Sequence, residues 1–164
     1  MLPLLFSLST VPLSNIPKPL QRAPEGIGVG IYMGAPTGLA ALNVAYRKKK
    51  ITRQLYLSWN FNNENVNVVV DQVWELIRAT NKDGTTFPVY AGGRVWGVFG
   101  DFSNALGFTG YSNNIGVGLP FGAIYQHEEV AIEAYLEITP IFQISPTSEV
   151  GVQGGVGFRF FPSF

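Results

Sequence analysis

The chain has no cysteine and one histidine, His127. The first absence excludes disulfide frameworks, thiolate nucleophiles and thiolate metal sites. The second leaves any zinc site short of converging ligands. It also counts against acyltransferase, phospholipase and protease chemistry: a triad needs histidine beside its nucleophile, and the turn QHEE places no serine near His127. Charge is scarce as well, at 13% of residues with 11 basic and 11 acidic side chains, where a soluble domain has about 25%. Only Arg47, Lys48, Lys49 and Lys50 gather positive charge, so an extended nucleic-acid face is missing. Finally, no window approaches the ~18 uninterrupted apolar residues of a membrane helix. An apolar chain without such a helix points to membrane strands.

What is present is glycine, 19 of 164 residues, and alternation. The length suits one domain. The start, MLPLLFSLSTVPLS, has the apolar part of a secretory signal but neither a basic n-region nor a clean cleavage site; it reads as a truncated signal-like segment or an arm. Pro12, Pro17, Pro19 and Pro24 make residues 11–25 an extended linker. Residues 1–25 are thus set apart from a β domain at 26–164.

From residue 26 the pattern predicts eight strands, near 26–33, 39–46, 51–61, 66–77, 88–99, 114–125, 130–142 and 149–161, separated by turn chemistry. Successive side chains of a strand face opposite ways. In VAIEAYLEI, residues 130–138, Glu133, Tyr135 and Glu137 therefore share one face, and Ile132, Ala134, Leu136 and Ile138 share the other. Segment four sets Asn67, Asp71 and Glu75 against valines, with Gln72 misplaced on the apolar side, as a bulge would allow. In segment five the face that takes Arg94 also takes Tyr90 and Trp96.

Either face could be the inside. In a soluble sandwich or lipocalin-like barrel the glycine-rich face would meet water, where glycine weakens a strand and covers nothing. If the apolar face meets lipid, the glycines make room inside a narrow barrel for Tyr32, Tyr56, Tyr135, Arg94 and Arg159. Segments of roughly ten residues suit a tilted crossing, and an open strand edge in hydrocarbon would leave backbone groups unpaired. The expected fold is an all-β, eight-stranded antiparallel up-and-down transmembrane barrel. Tyr46, Trp59, Phe61, Trp74, Tyr125, Phe142, Phe158 and Phe160 fall near segment ends, as interfacial girdles do.

Inside, Asp71, Glu75, Arg94, Glu133, Glu137 and Arg159 are expected to form one charge network, since buried charges persist only when paired. Four carboxylates against two arginines leave two negative charges over. That excess implies internal water, a protonated carboxyl or a register other than the one drawn. The network reads as a polar plug, with a narrow channel as the alternative. GIGVGIYMG has glycine spacing but no following helix to present amides to phosphate, so its glycines are read as packing. RKKK reads as a solvated turn that could reach lipid phosphates near headgroups. Residues 100–113 make the longest loop, where Phe102, Leu106, Phe108 and Tyr111 are candidates for contact with a partner. No cofactor is expected.

The stretches GAPTGLAAL, VYAGGRVWGVFGD, VGLPFGAIYQ, AYLEITPIFQISP and GGVGFRFF resemble a family of small, mostly uncharacterised bacterial outer-membrane β-barrels, similar to the eight-stranded membrane domain of outer membrane protein A. The resemblance spans about residues 26 to 161. It implies an outer-membrane location, periplasmic termini, and APTG, NFNNEN, the 100–113 loop and ISPTSE outside the cell. It implies as partners the lipid bilayer, an extracellular protein met through the loops, and the outer-membrane assembly machinery, which would read Phe161 or Phe164 in the closing aromatic run. The chain departs from the family at Ala35, where members often have an acid, and near Gly118, where they often have an arginine.

Overall fold

The computed structural model describes residues 25–34, 38–60, 65–81, 85–100, 113–126 and 131–162. The leader-like start, Phe61, Phe102, Leu106, Phe108, Tyr111, His127 and Phe164 lie outside the described residues. Among the described residues, no helix is long and apolar enough to cross a membrane. The strands are β1 (Gly26–Gly34), β2 (Gly38–Lys48), β3 (Ile51–Asn60), β4 (Asn65–Thr80), β5 (Thr86–Phe99), β6 (Asn114–Gly118), β7 (Phe121–Gln126), β8 (Ile132–Ser145) and β9 (Glu149–Phe160).

All pairings are antiparallel and they return on themselves. Each of β2, β3 and β4 pairs with its predecessor, β4 pairs with β5, and β1 pairs with both β2 and β9. β6 and β7 both lie between β5 and β8. Among the described residues one ring-like sheet of nine strands results, rather than the eight expected. The extra strand comes from the 114–125 segment, which breaks at Leu119 and Pro120 because proline has no N–H for the ladder. The break does not open the ring: Gly92 N–H donates to Pro120 O at 2.9 Å, and Leu119 N–H to Pro140 O at 3.0 Å.

Alternation sorts the side chains as the sequence pattern suggests. On β8, Glu133, Tyr135, Glu137, Thr139 and Gln143 are buried, while Ile132, Leu136, Ile138, Phe142 and Ile144 are exposed. Leu136 is 54% exposed and Glu137 1%. The same holds for Val117 and Phe158, both exposed, against Arg159, buried. Tyr90, Arg94 and Trp96 of β5 all point inward.

The interior closes on rings set over glycines. Tyr32 packs edge-on against Tyr56 at 5.1 Å and stacks on Tyr135 at 6.1 Å. Tyr135 faces Gly157 across the β8–β9 ladder, and a Cβ at Gly157 would lie 2.3 Å from the Tyr135 ring. Glycine there is a packing requirement, since the neighbouring atoms belong to a buried aromatic ring.

Gln72 was expected to mark a bulge. The ladder is regular there, Gln72 facing Gly93, and the register shifts instead between Glu75 and Ile77. Gln72 is half-buried and accepts a hydrogen bond from Arg53 Nε at 3.2 Å, which satisfies its amide oxygen.

Candidate functional site

The fully buried charges among the described residues are three guanidiniums, Arg47, Arg94 and Arg159, and three carboxylates, Asp71, Glu133 and Glu137. They form two clusters inside the ring. In the first, Arg94 of β5 sits directly opposite Asp71 of β4. It donates from Nε to Oδ1 at 2.8 Å and from Nη2 to Oδ2 at 2.7 Å, the paired geometry that makes arginine–carboxylate bonds strong. Arg94 also bonds Glu137 of β8. Glu137 accepts a further bond from Tyr90 Oη at 2.9 Å, and the Arg94 guanidinium lies 5.6 Å from the Tyr56 ring centre.

The second cluster centres on Glu133 at the start of β8. Arg47 of β2 pairs with it through both Nη groups, Nη2 to Oε2 at 2.9 Å. Arg159, directly opposite on β9, lies 3.5 Å away, and the Gln126 amide also donates to Glu133. Arg47 reaches Thr52 Oγ1 at 3.0 Å and covers the Phe161 ring at 4.8 Å. Arg159 covers Tyr135 at 4.1 Å and donates to Gln54, whose Oε1 also accepts from Tyr56 Oη at 2.9 Å. Tyrosine rings and Gln54 thus connect the two clusters.

The entry of Arg47 and the departure of Glu75 together remove the two-charge excess expected from the sequence. The segment-two pattern ends at Tyr46, yet the inward set Ala41, Asn43, Ala45 continues by the same step of two to Arg47. Gln126 extends its segment in the same way. Glu75 leaves the network: it pairs with Arg78, Nε to Oε1 at 2.8 Å, at partly exposed positions. The extra residue at the β4 irregularity turns positions 75 and 78 onto one side, where a regular strand would oppose them. Glu75 also lies beyond the last β3–β4 pair, Ile51 with Trp74.

Toward the end of the ring where β3 leads on to β4, β5 to β6 and β8 to β9, the buried polar side chains are neutral: Ser58, Asn67, Asn114, Gln143 and Gln153. Neither amide atom of Gln153 has a partner among the described residues, nor do Gln143 Oε1, Asn67 Oδ1 and Asn114 Oδ1. Outside, the aromatics form two tiers. Tyr46, Trp74, Tyr125, Phe158 and Phe160 sit toward the charged end, and Trp59 and Phe142 toward the amide-lined end, all exposed. Phe161, in contrast, points inward and is buried.

Among the described residues no group of three histidine, cysteine or acidic side chains could hold a metal ion. The interior groups have a different chemistry: each buried guanidinium pairs with a carboxylate, although Arg94 Nη1 and Arg159 Nε have no partner among the described residues, and the clusters tie β2, β4, β5, β8 and β9 together through the centre. Comparison with models of protein families, with curated proteins and with solved structures finds no match for the chain.

Proposed function

We propose that the chain is an integral β-barrel protein of the bacterial outer membrane with a structural or surface-interaction role. One observation carries this reading: the ring buries two clusters of charge at its centre and exposes most of its large aliphatic residues. Val70, Leu57, Val95, Leu136, Ile138 and Val152 are each more than two-fifths exposed while Glu133, Glu137 and Arg159 are 1% exposed. In water that arrangement would forgo the hydrophobic driving force, and the exposed patch would far exceed what monomeric soluble domains carry. Against hydrocarbon the same surface is matched, and a sheet with no open edge suits it. The two aromatic tiers support the same reading. The centre is then a plug of paired charges, with the bilayer and the assembly machinery as partners and the 100–113 loop as the contact surface for an extracellular protein. Unboiled protein is expected to migrate differently from boiled protein on a detergent gel; identical migration, with solubility in the absence of detergent, would overturn the reading.

A narrow channel is the second reading, favoured by the buried Gln143 and Gln153 oxygens that have no partner among the described residues, because such groups call for water. It requires stepwise conductance in planar bilayers that changes when Glu133 or Arg94 is replaced. A silent bilayer removes it.

A further inference from the structure

Lys48 and Arg53 are the only charged side chains of the described strands that are exposed. They lie on neighbouring strands at the same end of the ring, since Tyr46 faces Arg53 and Lys48 faces Ile51 across the β2–β3 ladder. With Tyr46, Lys49 and Ile51 they line one groove. Beyond it in the same outward column stand Leu42, Val44, Leu55 and Leu57. From the turn inward the surface therefore passes from two mixed levels, Lys48 with Ile51 and then Arg53 with Tyr46, to the purely aliphatic pairs Val44 with Leu55 and Leu42 with Leu57. Cations and an aromatic ring stand at the headgroup and interface levels, and aliphatics alone at the acyl level.

The cations have no carboxylate to pair with among the described residues. The acid at this turn, Glu25, accepts the Lys49 backbone N–H at 3.2 Å. Arg53 is steadied by its Nε bond to Gln72. The turn is pinned from β4 by Glu75 N–H to Lys50 O at 2.8 Å. Lys49 adopts φ 56°, a left-handed conformation that glycine or asparagine would take at lower cost. Lys49 in that conformation, beside Lys48 and Arg53, puts cations without a carboxylate partner among the described residues on an otherwise uncharged wall, which suits an anion.

We propose that this groove binds the phosphate of an anionic phospholipid, Lys48 and Arg53 contacting the headgroup while Tyr46, level with Arg53, packs on its glycerol and Val44 and Leu55 lie along its upper acyl segment. The site rests on the membrane reading given above, because only a bilayer brings a lipid to this wall at the right height. Basic groups near a membrane surface favour anionic lipid, and here two of them are held on the lipid-facing side itself.

The test uses the full chain in phosphatidylcholine vesicles containing phosphatidylglycerol, with bromine placed on the acyl chains of one lipid or the other to quench tryptophan. Trp74, which faces Ile51 across the ladder, reports on the groove in a W59F variant; Trp96, buried inside the ring and away from lipid, adds the same background to both single variants. Trp59, at the other end of β3, reports in W74F. Brominated phosphatidylglycerol is expected to quench Trp74 roughly fivefold more efficiently per mole than brominated phosphatidylcholine, with no such preference at Trp59. The double variant K48Q/R53Q is expected to abolish the preference and the charge-keeping K48R/R53K to retain it. Excess inorganic phosphate should leave it intact. Equal quenching of Trp74 by both lipids, or a preference that survives K48Q/R53Q, overturns the site while leaving the membrane reading standing. Loss of the preference on adding phosphate assigns the groove to free phosphate and overturns the lipid assignment. Failure of either lipid to quench either tryptophan overturns the membrane reading and the site with it.

Discussion

Leu136 and Glu137 are adjacent on β8 and meet opposite surroundings: one is mostly exposed on the outer wall, the other almost wholly buried inside. The comparison extends around the ring. The outer wall asks only that a residue be apolar and of strand type, because no partner side chain depends on its shape. The inner wall asks for particular atoms, since Glu133 answers to Arg47, Arg159 and Gln126 at once. Tolerance to substitution should therefore differ between two faces of the same strand, and it should depend on the solvent for only one of them.

The largest effect is expected inside. Glu133→Ala leaves two buried guanidiniums without their carboxylate and should cost about 3–5 kcal/mol, read from urea unfolding of the protein in lipid vesicles. A loss below about 1 kcal/mol would break the contrast between the faces. Next comes the outer wall. Leu136→Arg should cost about 2–4 kcal/mol in a bilayer if position 136 lies near the midplane, whereas Leu136→Val should change stability little. An arginine tolerated there in vesicles would show that the exposed wall does not face hydrocarbon. The smallest effect concerns packing without charge. Gly157→Ala drives a methyl group against the Tyr135 ring and should cost about 1–3 kcal/mol, part of which Tyr135→Leu should restore. If Gly157→Ala unfolds normally at the wild-type urea midpoint, the interior is less tightly filled than the ring contacts indicate.

Much of this is legible in the amino-acid sequence alone. Period-two alternation placed Glu133, Tyr135 and Glu137 on one face and Leu136 and Ile138 on the other, because side-chain direction in a strand is a local property. The same rule, followed one step further, reaches Arg47. Three features were not legible. The break at Leu119 and Pro120 appears only once both neighbouring strands are seen to keep their bonds across it. The irregularity after Glu75 shifts Arg78 to the side of Glu75, and a bulge leaves no firm mark in the residue order. The division of the charges into two clusters depends on which strands adjoin, as with Arg47 of β2 reaching Glu133 of β8 through the centre.

By itself the sequence determined that the protein is built of alternating strands with one oily and one glycine-rich, sparsely charged face, since each residue's direction follows from the pleat. Only the tertiary structure decided which carboxylate meets which guanidinium. Those partners lie up to 86 residues apart, and their meeting is set by register and by closure of the ring, which are collective properties of the whole sheet.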